Sequence, residues 1–162
     1  MNQPDFKPHF NLKIGDDAPD FKAVIQDGST IHLKSIESKW IVLFFYPEDN
    51  TPTCTKEACN LRDNYDDLKL AGAKLFGISP DSESKHQKFI AKFDLPYDLI
   101  VDKNHEIANA YDVWGTKKFM GIVYDGIHRT TYILNHQHKI SKIIYPVESA
   151  NHHLQILEAI IT

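Results

Sequence analysis

The chain of 162 residues holds two cysteines, Cys54 and Cys59, five positions apart. A secreted, disulfide-stapled domain carries more of them, and this spacing fits neither a zinc knuckle nor a C-x-x-C dithiol. The first cysteine closes the run Pro47-Glu48-Asp49-Asn50-Thr51-Pro52-Thr53-Cys54, which follows an apolar stretch at 40–46. Pro52 suits the first position of a helix, so Cys54 is expected in its first turn, among backbone N–H groups that have no intrahelical partner. Those groups carry partial positive charge and favour thiolate over thiol, the form that attacks electrophiles. A thiol titrating near 8.5 is roughly 3% ionised at pH 7, and one titrating near 6 is about 90% ionised, a gain of about thirtyfold or ~2 kcal/mol. Enzymes supply about a millionfold or more. Ionisation alone is therefore too small, and such a site also needs donors aimed at charge that develops in the transition state.

Several elements must position this cysteine. Residues 21–33 read as a hairpin around Asp27-Gly28, a strong tight-turn pair. The unbroken apolar run at 40–46, ending at Pro47, reads as a central strand buried on both faces. A helix is expected from Pro52 to about Ala71, with Gly72 past its C-terminus. Further strands are expected at 74–79 and 97–101, and helices at 82–93, capped by Ser82 or Asp81, and at 104–111. Residues 129–134 and 140–145 read as a hairpin, and Ser149 as the cap of a closing helix whose apolar stripe is Leu154, Leu157, Ile160 and Ile161. Strands alternating with helices imply an α/β domain, a mixed sheet with helices on both faces, and ligands at the carboxyl ends of the strands. The loop after Tyr46 is such a place.

With the elements placed, the motifs become specific. Pro47-x-x-x-Thr51-x-x-Cys54 resembles the peroxidatic signature of peroxiredoxins. Cys59-Asn-Leu-Arg-Asp63, Phe119-Met-Gly-Ile-Val-Tyr-Asp-Gly-Ile-His-Arg129 and Ser149-Ala-Asn-His-His153 resemble the bacterioferritin-comigratory-protein or peroxiredoxin Q subfamily, from about Lys13 to the closing helix. Thr53 departs from the pattern, since many members carry Gly there; a side chain at that position would narrow the entrance without removing a catalytic group. The resemblance implies a thioredoxin fold: a central mixed β-sheet flanked by helices, with an N-terminal β-hairpin, all within one domain spanning 1–162. It implies a thiol-dependent peroxidase that reduces hydrogen peroxide and organic hydroperoxides. Cys54 would attack the terminal peroxide oxygen and become a sulfenic acid, the first rung of thiol oxidation. Thr51 would hydrogen-bond beside the thiolate and the peroxide, Pro47 would shield the site, and Arg129 would steady the thiolate and the departing oxygen. Glu57, three residues beyond Cys54, would orient Arg129 by accepting from its fork. Of eighteen basic residues only Arg62 and Arg129 are arginines, which fits a need for planar, multi-donor geometry at Arg129.

The same resemblance implies that Cys59 resolves the sulfenic acid as a Cys54–Cys59 disulfide, which thioredoxin or a similar dithiol protein then reduces. On an ideal helix, positions five apart lie about 8.6 Å and about 140° apart, whereas a disulfide tolerates roughly 4.4–6.8 Å. Oxidation is therefore expected to unwind the first turns of the helix. The plain alternative is that Cys59 is a small buried hydrophobe.

The remaining features narrow the function classes. The formal net charge of −4 argues against a nucleic-acid or anionic-membrane partner. No apolar run approaches the ~20 residues a membrane helix needs. Met1-Asn2-Gln3-Pro4-Asp5 has neither a basic stretch nor an apolar core, so the reading expects no leader and a reducing, cytoplasmic setting. Nine histidines, among them His128, His136, His138, His152 and His153, lack the helical spacing of a zinc protease, and no metal or other cofactor is expected. Phe44-Phe45-Tyr46 reads as core, residues 63–67 as a solvated helix face, and Trp114 and Phe119 as loop residues that either line the entrance or pack. The family resemblance implies a monomer or weak dimer. Two rival functions stay open here: a protein thiol–disulfide oxidoreductase, which should carry C-x-x-C, and a non-catalytic chaperone-like or metal-binding module.

Overall fold

The computed structural model describes residues 6–161. The leader expectation at residues 1–5 and the Ile161 side chain of the closing stripe lie outside what is described. Nine strands run in chain order: β1 (Lys22–Ile25), β2 (Thr30–His32), β3 (Trp40–Phe45), β4 (Ala73–Ser79), β5 (Asp98–Val101), β6 (Trp114–Phe119), β7 (Ile122–Ile127), β8 (Thr130–Asn135) and β9 (Ile140–Ile144). Five helices join them: α1 (Pro52–Asp63), α2 (Tyr65–Leu70), α3 (Glu83–Phe93), α4 (Glu106–Ala110) and α5 (His152–Ile161). Seven strands form one sheet in the order β2-β1-β5-β4-β3-β8-β9, while β6 and β7 pair only with each other. The β3–β4 and β4–β5 pairs are parallel and the other pairs antiparallel, so the sheet is mixed as expected.

β3 is the axis. Its side chains alternate between two cores because successive residues of a strand point to opposite faces. Ile41, Leu43 and Phe45 pack with Phe76, Ile100, Tyr111 and Tyr132 under α4. Val42, Phe44 and Tyr46 pack on the other face with Leu61, Leu68, Phe89 and Ile156 from α1, α2, α3 and α5, and Cys54 belongs to this second core. Gly77 of β4 lies between Phe44 and Leu99, opposite both in the ladder. No helix among the described residues is long and apolar enough to cross a membrane.

Four sequence expectations are corrected. The long helix is two: Asn64 leaves helical geometry at φ −116° and ψ 18°, and its side-chain amide donates to the Asn60 carbonyl at 2.8 Å, replacing a backbone bond. Gly72, at φ 87°, still ends the second helix. The closing helix starts at His152, not beside Ser149, and this offset buries Ile156 while leaving Leu154 48% exposed. α4 begins at Glu106, after His105 in left-handed geometry at φ 60°, rather than at Asn104. The loop that was to hold Trp114 and Phe119 is the β6–β7 ribbon, turned by Met120 and Gly121 at φ 49° and 80°. Within it Trp114 stacks on His105 at 3.8 Å, whereas Phe119 is 65% exposed near the tip.

A Cβ added at Gly77 would lie 2.7 Å from Leu99 Cδ2 and 2.8 Å from Phe44 Cζ, both in fully packed surroundings. Gly77→Ala is expected to lower the unfolding free energy by about 1–3 kcal/mol, measured as a fall in the urea midpoint. An unchanged midpoint would mean that the core holding Phe44 and Leu99 yields to one methyl group.

Candidate active site

The chain leaves β3 through Tyr46, whose N–H donates to the Ile78 carbonyl, and turns through residues 47–51 into α1. Asn50 takes left-handed geometry at φ 62°, and Thr51 is the extended N-cap ahead of Pro52. Cys54 therefore falls in the first turn of α1, as expected, and is 2% exposed. The loop is pinned from the far side. Asp49 is buried, accepts from the Tyr46 hydroxyl at 2.5 Å, and pairs with His86 Nδ1 of α3 at 2.6 Å. His86 Nε2 meets the Ile100 carbonyl at 2.9 Å, and the Asp49 N–H donates to Asp81 at 2.7 Å. Lys85 adds ion pairs to Glu48 at 2.7 Å and to Asp81 at 3.0 Å. None of these loop anchors was read from the sequence, because most of the partners come from β5, α3 and the turn before α3, far along the chain.

Arg129 reaches the same point from the opposite direction. The β3–β8 register sets Phe45 opposite Thr130, so the residue before Thr130 lies where β3 hands over to the Cys54 loop. There Arg129 Nη2 donates to Cys54 Sγ at 3.1 Å and Nη1 donates to Glu57 Oε1 at 3.1 Å. Glu57 follows Cys54 by three positions and shares its face of α1. Burial pushes the Glu57 carboxyl up to about 7, and the Arg129 charge and hydrogen bond pull it back only in part. Burial also works against the Arg129 charge, but Glu57 and Cys54 outweigh it and hold the guanidinium above its ordinary range. A planar fork that satisfies a carboxylate and a sulfur together is what lysine cannot offer.

The other expected residues are placed less directly. Thr51 stands at the helix N-terminus, but its hydroxyl donates to the Glu48 carbonyl at 3.1 Å, and no hydrogen bond to the sulfur is present among the described residues. Pro47 is half-buried at the start of the loop. Cys59 is half-buried in the same continuous helix as Cys54, and both thiols are free. Arg62, the other arginine, donates to the Phe93 carbonyl at 2.8 Å and pairs with Asp63 at 2.9 Å, a structural role in holding α1. In the stretch expected as a solvated face, Asp63, Asp66 and Asp67 are exposed, while Tyr65 packs toward Tyr97.

The sequence reading missed two neighbours. Lys117 of β6 donates to the Ile127 carbonyl at 2.7 Å; burial, then the Arg129 charge, lowers its affinity for a proton while Cys54 raises it. His152, fully buried at the start of α5, lies with Nδ1 3.4 Å from Glu57 Oε2. Of the paired histidines, His153 meets Asn60 at 2.9 Å and His152 meets Thr131 at 2.7 Å. Asp49, Asp81 and His86 form the one group of three metal-competent side chains among the described residues, with ligand atoms within 4.8 Å. All three are engaged in the hydrogen bonds that anchor the loop.

Comparison with known proteins follows the same lines. The profile of the AhpC/TSA family matches residues 14–143. The chain is 40% identical over 146 residues to Peroxiredoxin Bcp of Escherichia coli, covering 90% of this chain and 94% of that one. It is 40% identical over 149 residues to Peroxiredoxin Bcp of Bacillus subtilis, covering 92% and 95%. Among solved structures it resembles peroxiredoxin Q of Xanthomonas campestris, with TM-score 0.83, 29% identity and 94% and 96% of the two chains covered. The bacterioferritin comigratory protein of the same organism, described for its alkyl peroxide reduction activity, matches with TM-score 0.83, 28% identity and coverage of 94% and 98%. The thioredoxin fold expected from the motifs is the fold these structures share.

The raised Glu57 carboxyl has a consequence for stability. Its folded value near 7 lies above the ordinary 4.5, so folding takes up a proton between these values. The stability that this uptake contributes is full below about pH 4.5 and is lost as pH rises through 7. Glu57→Gln removes that loss, so the stability of this variant relative to the unsubstituted chain is expected to climb from pH 5 to pH 7.5. Urea midpoints across that range measure it, and a constant difference would show that the carboxyl titrates as in water.

Proposed function

Because this chain belongs to the AhpC/TSA family, as a peroxiredoxin of the Bcp and peroxiredoxin Q group, we propose that Cys54 is the nucleophile of its thiol-dependent peroxidase activity. The observation that carries the assignment is the 3.1 Å contact from Arg129 Nη2 to Cys54 Sγ. The Cys54 thiolate attacks the terminal oxygen of a hydroperoxide, the O–O bond breaks, and Cys54 becomes a sulfenic acid. The departing oxygen leaves as hydroxide or alkoxide and takes a proton to give water or an alcohol. Arg129 supplies donors to the sulfur before the step and to the departing oxygen during it, in a site already shielded from water. Thr51 presents an oxygen lone pair at the helix mouth, Pro47 covers the loop side, and Glu57 holds the Arg129 fork. A cysteine only 2% exposed suits a small oxidant better than the disulfide of another protein, which weighs against the thiol–disulfide oxidoreductase reading.

The second half of the cycle falls to Cys59. Its thiolate displaces hydroxide from the Cys54 sulfenic acid, the hydroxide takes a proton, and a Cys54–Cys59 disulfide and water result. Both residues sit on continuous α1, where ideal geometry holds their Cα atoms about 8.6 Å apart, beyond the roughly 6.8 Å a disulfide spans. α1 must therefore open at its N-terminal end. Thioredoxin or a similar dithiol protein then reduces the bond, with hydrogen peroxide and organic hydroperoxides as substrates, in a monomer or weak dimer of the cytoplasm.

Intact mass after one equivalent of peroxide tests the cycle: a loss of about two mass units marks the disulfide, and a gain of about sixteen marks a stable sulfenic acid. Cys54→Ser is expected to abolish peroxide consumption in a folded protein. Cys59→Ser is expected to keep one oxidation per chain and lose thioredoxin-driven turnover. Hydrogen exchange should lose protection at residues 51–62 on oxidation; unchanged protection there, with the disulfide formed, contradicts the opening of α1.

A further inference from the structure

Among the described residues, three buried side-chain polar atoms find no hydrogen-bond partner, and two of them face each other: Glu57 Oε2 and His152 Nδ1, 3.4 Å apart. Leaving such atoms unmatched is costly when no water reaches them, so the pair asks for a proton between them. The surroundings fix everything else. His152 Nε2 shares a 2.7 Å hydrogen bond with Thr131 Oγ1 of β8, and Phe44 of β3 stands edge-on to the ring with centroids 5.9 Å apart. The other Glu57 oxygen is taken by Arg129. Next to these bonds Asn60 of α1 donates to the Ala150 carbonyl at 2.8 Å and accepts from the His153 N–H at 2.8 Å, which docks the start of α5 on α1.

We propose that His152 is a positioning residue for the peroxidase reaction: its Nδ1 holds the inner oxygen of Glu57, whichever of the two carries the proton, and so keeps the outer oxygen on Arg129 and Arg129 on the Cys54 sulfur. The chemistry of a neutral imidazole permits both arrangements once the two side chains turn slightly to close the 3.4 Å gap. With the ring proton on Nδ1, the ring donates to a Glu57 carboxylate while Nε2 accepts from the Thr131 hydroxyl. With one further proton taken from solvent, Glu57 becomes a carboxylic acid and donates to Nδ1, while the ring proton sits on Nε2 and is donated to Thr131. Burial, then Arg129 and His153, push His152 down to about 3, so the ring stays neutral. Glu57 near 7 places both arrangements within reach around neutrality. The titratable and charged groups facing the pair are Cys54 on α1, Tyr97 before β5, Arg129 before β8 and His153 on α5, with Lys117 of β6 acting on Arg129.

The inference rests on the peroxidase reading, and its test keeps the two apart. An asparagine amide occupies the place of Nδ1 and can donate to Glu57 or accept from it; a glutamine amide reaches the place of Nε2 and serves Thr131 instead. His152→Asn is expected to keep the rate of Cys54 oxidation by hydrogen peroxide within about threefold of the unsubstituted chain across pH 5.5–8.5. His152→Gln is expected to slow it about tenfold at pH 7 and to move the Glu57 titration, followed by its infrared carboxyl band and assigned with Glu57→Gln, upward by about one pH unit or more. Equal behaviour of the two variants, or a slower asparagine variant, overturns the proposal. The unsubstituted protein provides a readout that misfolding cannot spoil. By nitrogen NMR the His152 ring is expected to change tautomer over the pH range in which Glu57 titrates, and a ring fixed in one tautomer also overturns the proposal. If the unsubstituted protein consumes no peroxide, the peroxidase reading falls, while the infrared and tautomer results still judge the His152 pairing.

Discussion

On the proposed function, the constraint on which this molecule turns is a sulfur that must be both ionised and buried. An unpaired charge in a protein interior is expensive, and a paired one is tolerated only when its partner is held in good geometry. Arg129 is that partner, but it is itself buried and needs a carboxylate, and Glu57 supplies one from the helix that carries the thiol. The carboxylate is deeper still, and His152 and Thr131 back it from α5 and β8. Each layer supports the one above, down to Glu57 Oε2 and His152 Nδ1, which face each other without a formed hydrogen bond. The result is a chain of polar groups running inward from the thiol through a core that is otherwise aliphatic and aromatic.

The elements around the site divide its mechanical duties. The loop before α1 is fastened to β4, β5 and α3 through Asp49, Asp81, Ser79 and His86. α1 is fastened elsewhere: by Arg62 to the end of α3, by the Tyr97 hydroxyl to the Ala58 carbonyl, and by Asn60 to the start of α5. The loop and the helix both lean on α3, but through different residues. On the proposed cycle, α1 carries Cys54 with it as it opens and breaks none of the side-chain bonds that hold the preceding loop. The bonds that release it are a handful of side-chain contacts to carbonyls, each modest in net strength.

Much of this was legible in the sequence. The run at 40–46 suited a strand buried on both faces and Pro52 suited the first position of the helix after it, so Cys54 in a first turn followed from local chemistry. Arg129 and Glu57 were found through motif resemblance, and the structure joins them by hydrogen bonds. What stayed hidden depended on tertiary partners. Asn64 breaks the helix because its amide prefers a nearby carbonyl, an option that propensity treats as minor. The β6–β7 ribbon went unread because Met120 takes a turn conformation usually left to Asn, Asp or Gly, and only Gly121 hinted at it. His152 is one of nine histidines in sequence; only the assembled β8, α1 and α5 single it out.

The ribbon itself bears on how such a protein diversifies. It lies outside the seven-stranded sheet, and its base is closed by the His128 N–H donating to the Val113 carbonyl at 2.7 Å. Residues added or removed in pairs at its Met120–Gly121 turn would change the reach of a surface beside the thiol while that closure, and the β3–β8 register above it, stayed fixed. An insertion directly past the closure, between His128 and Arg129, would instead shift Arg129 out of line. The architecture thus separates a freely editable margin from an unforgiving one by a single backbone hydrogen bond, and natural variation in length should accumulate on only one side of it.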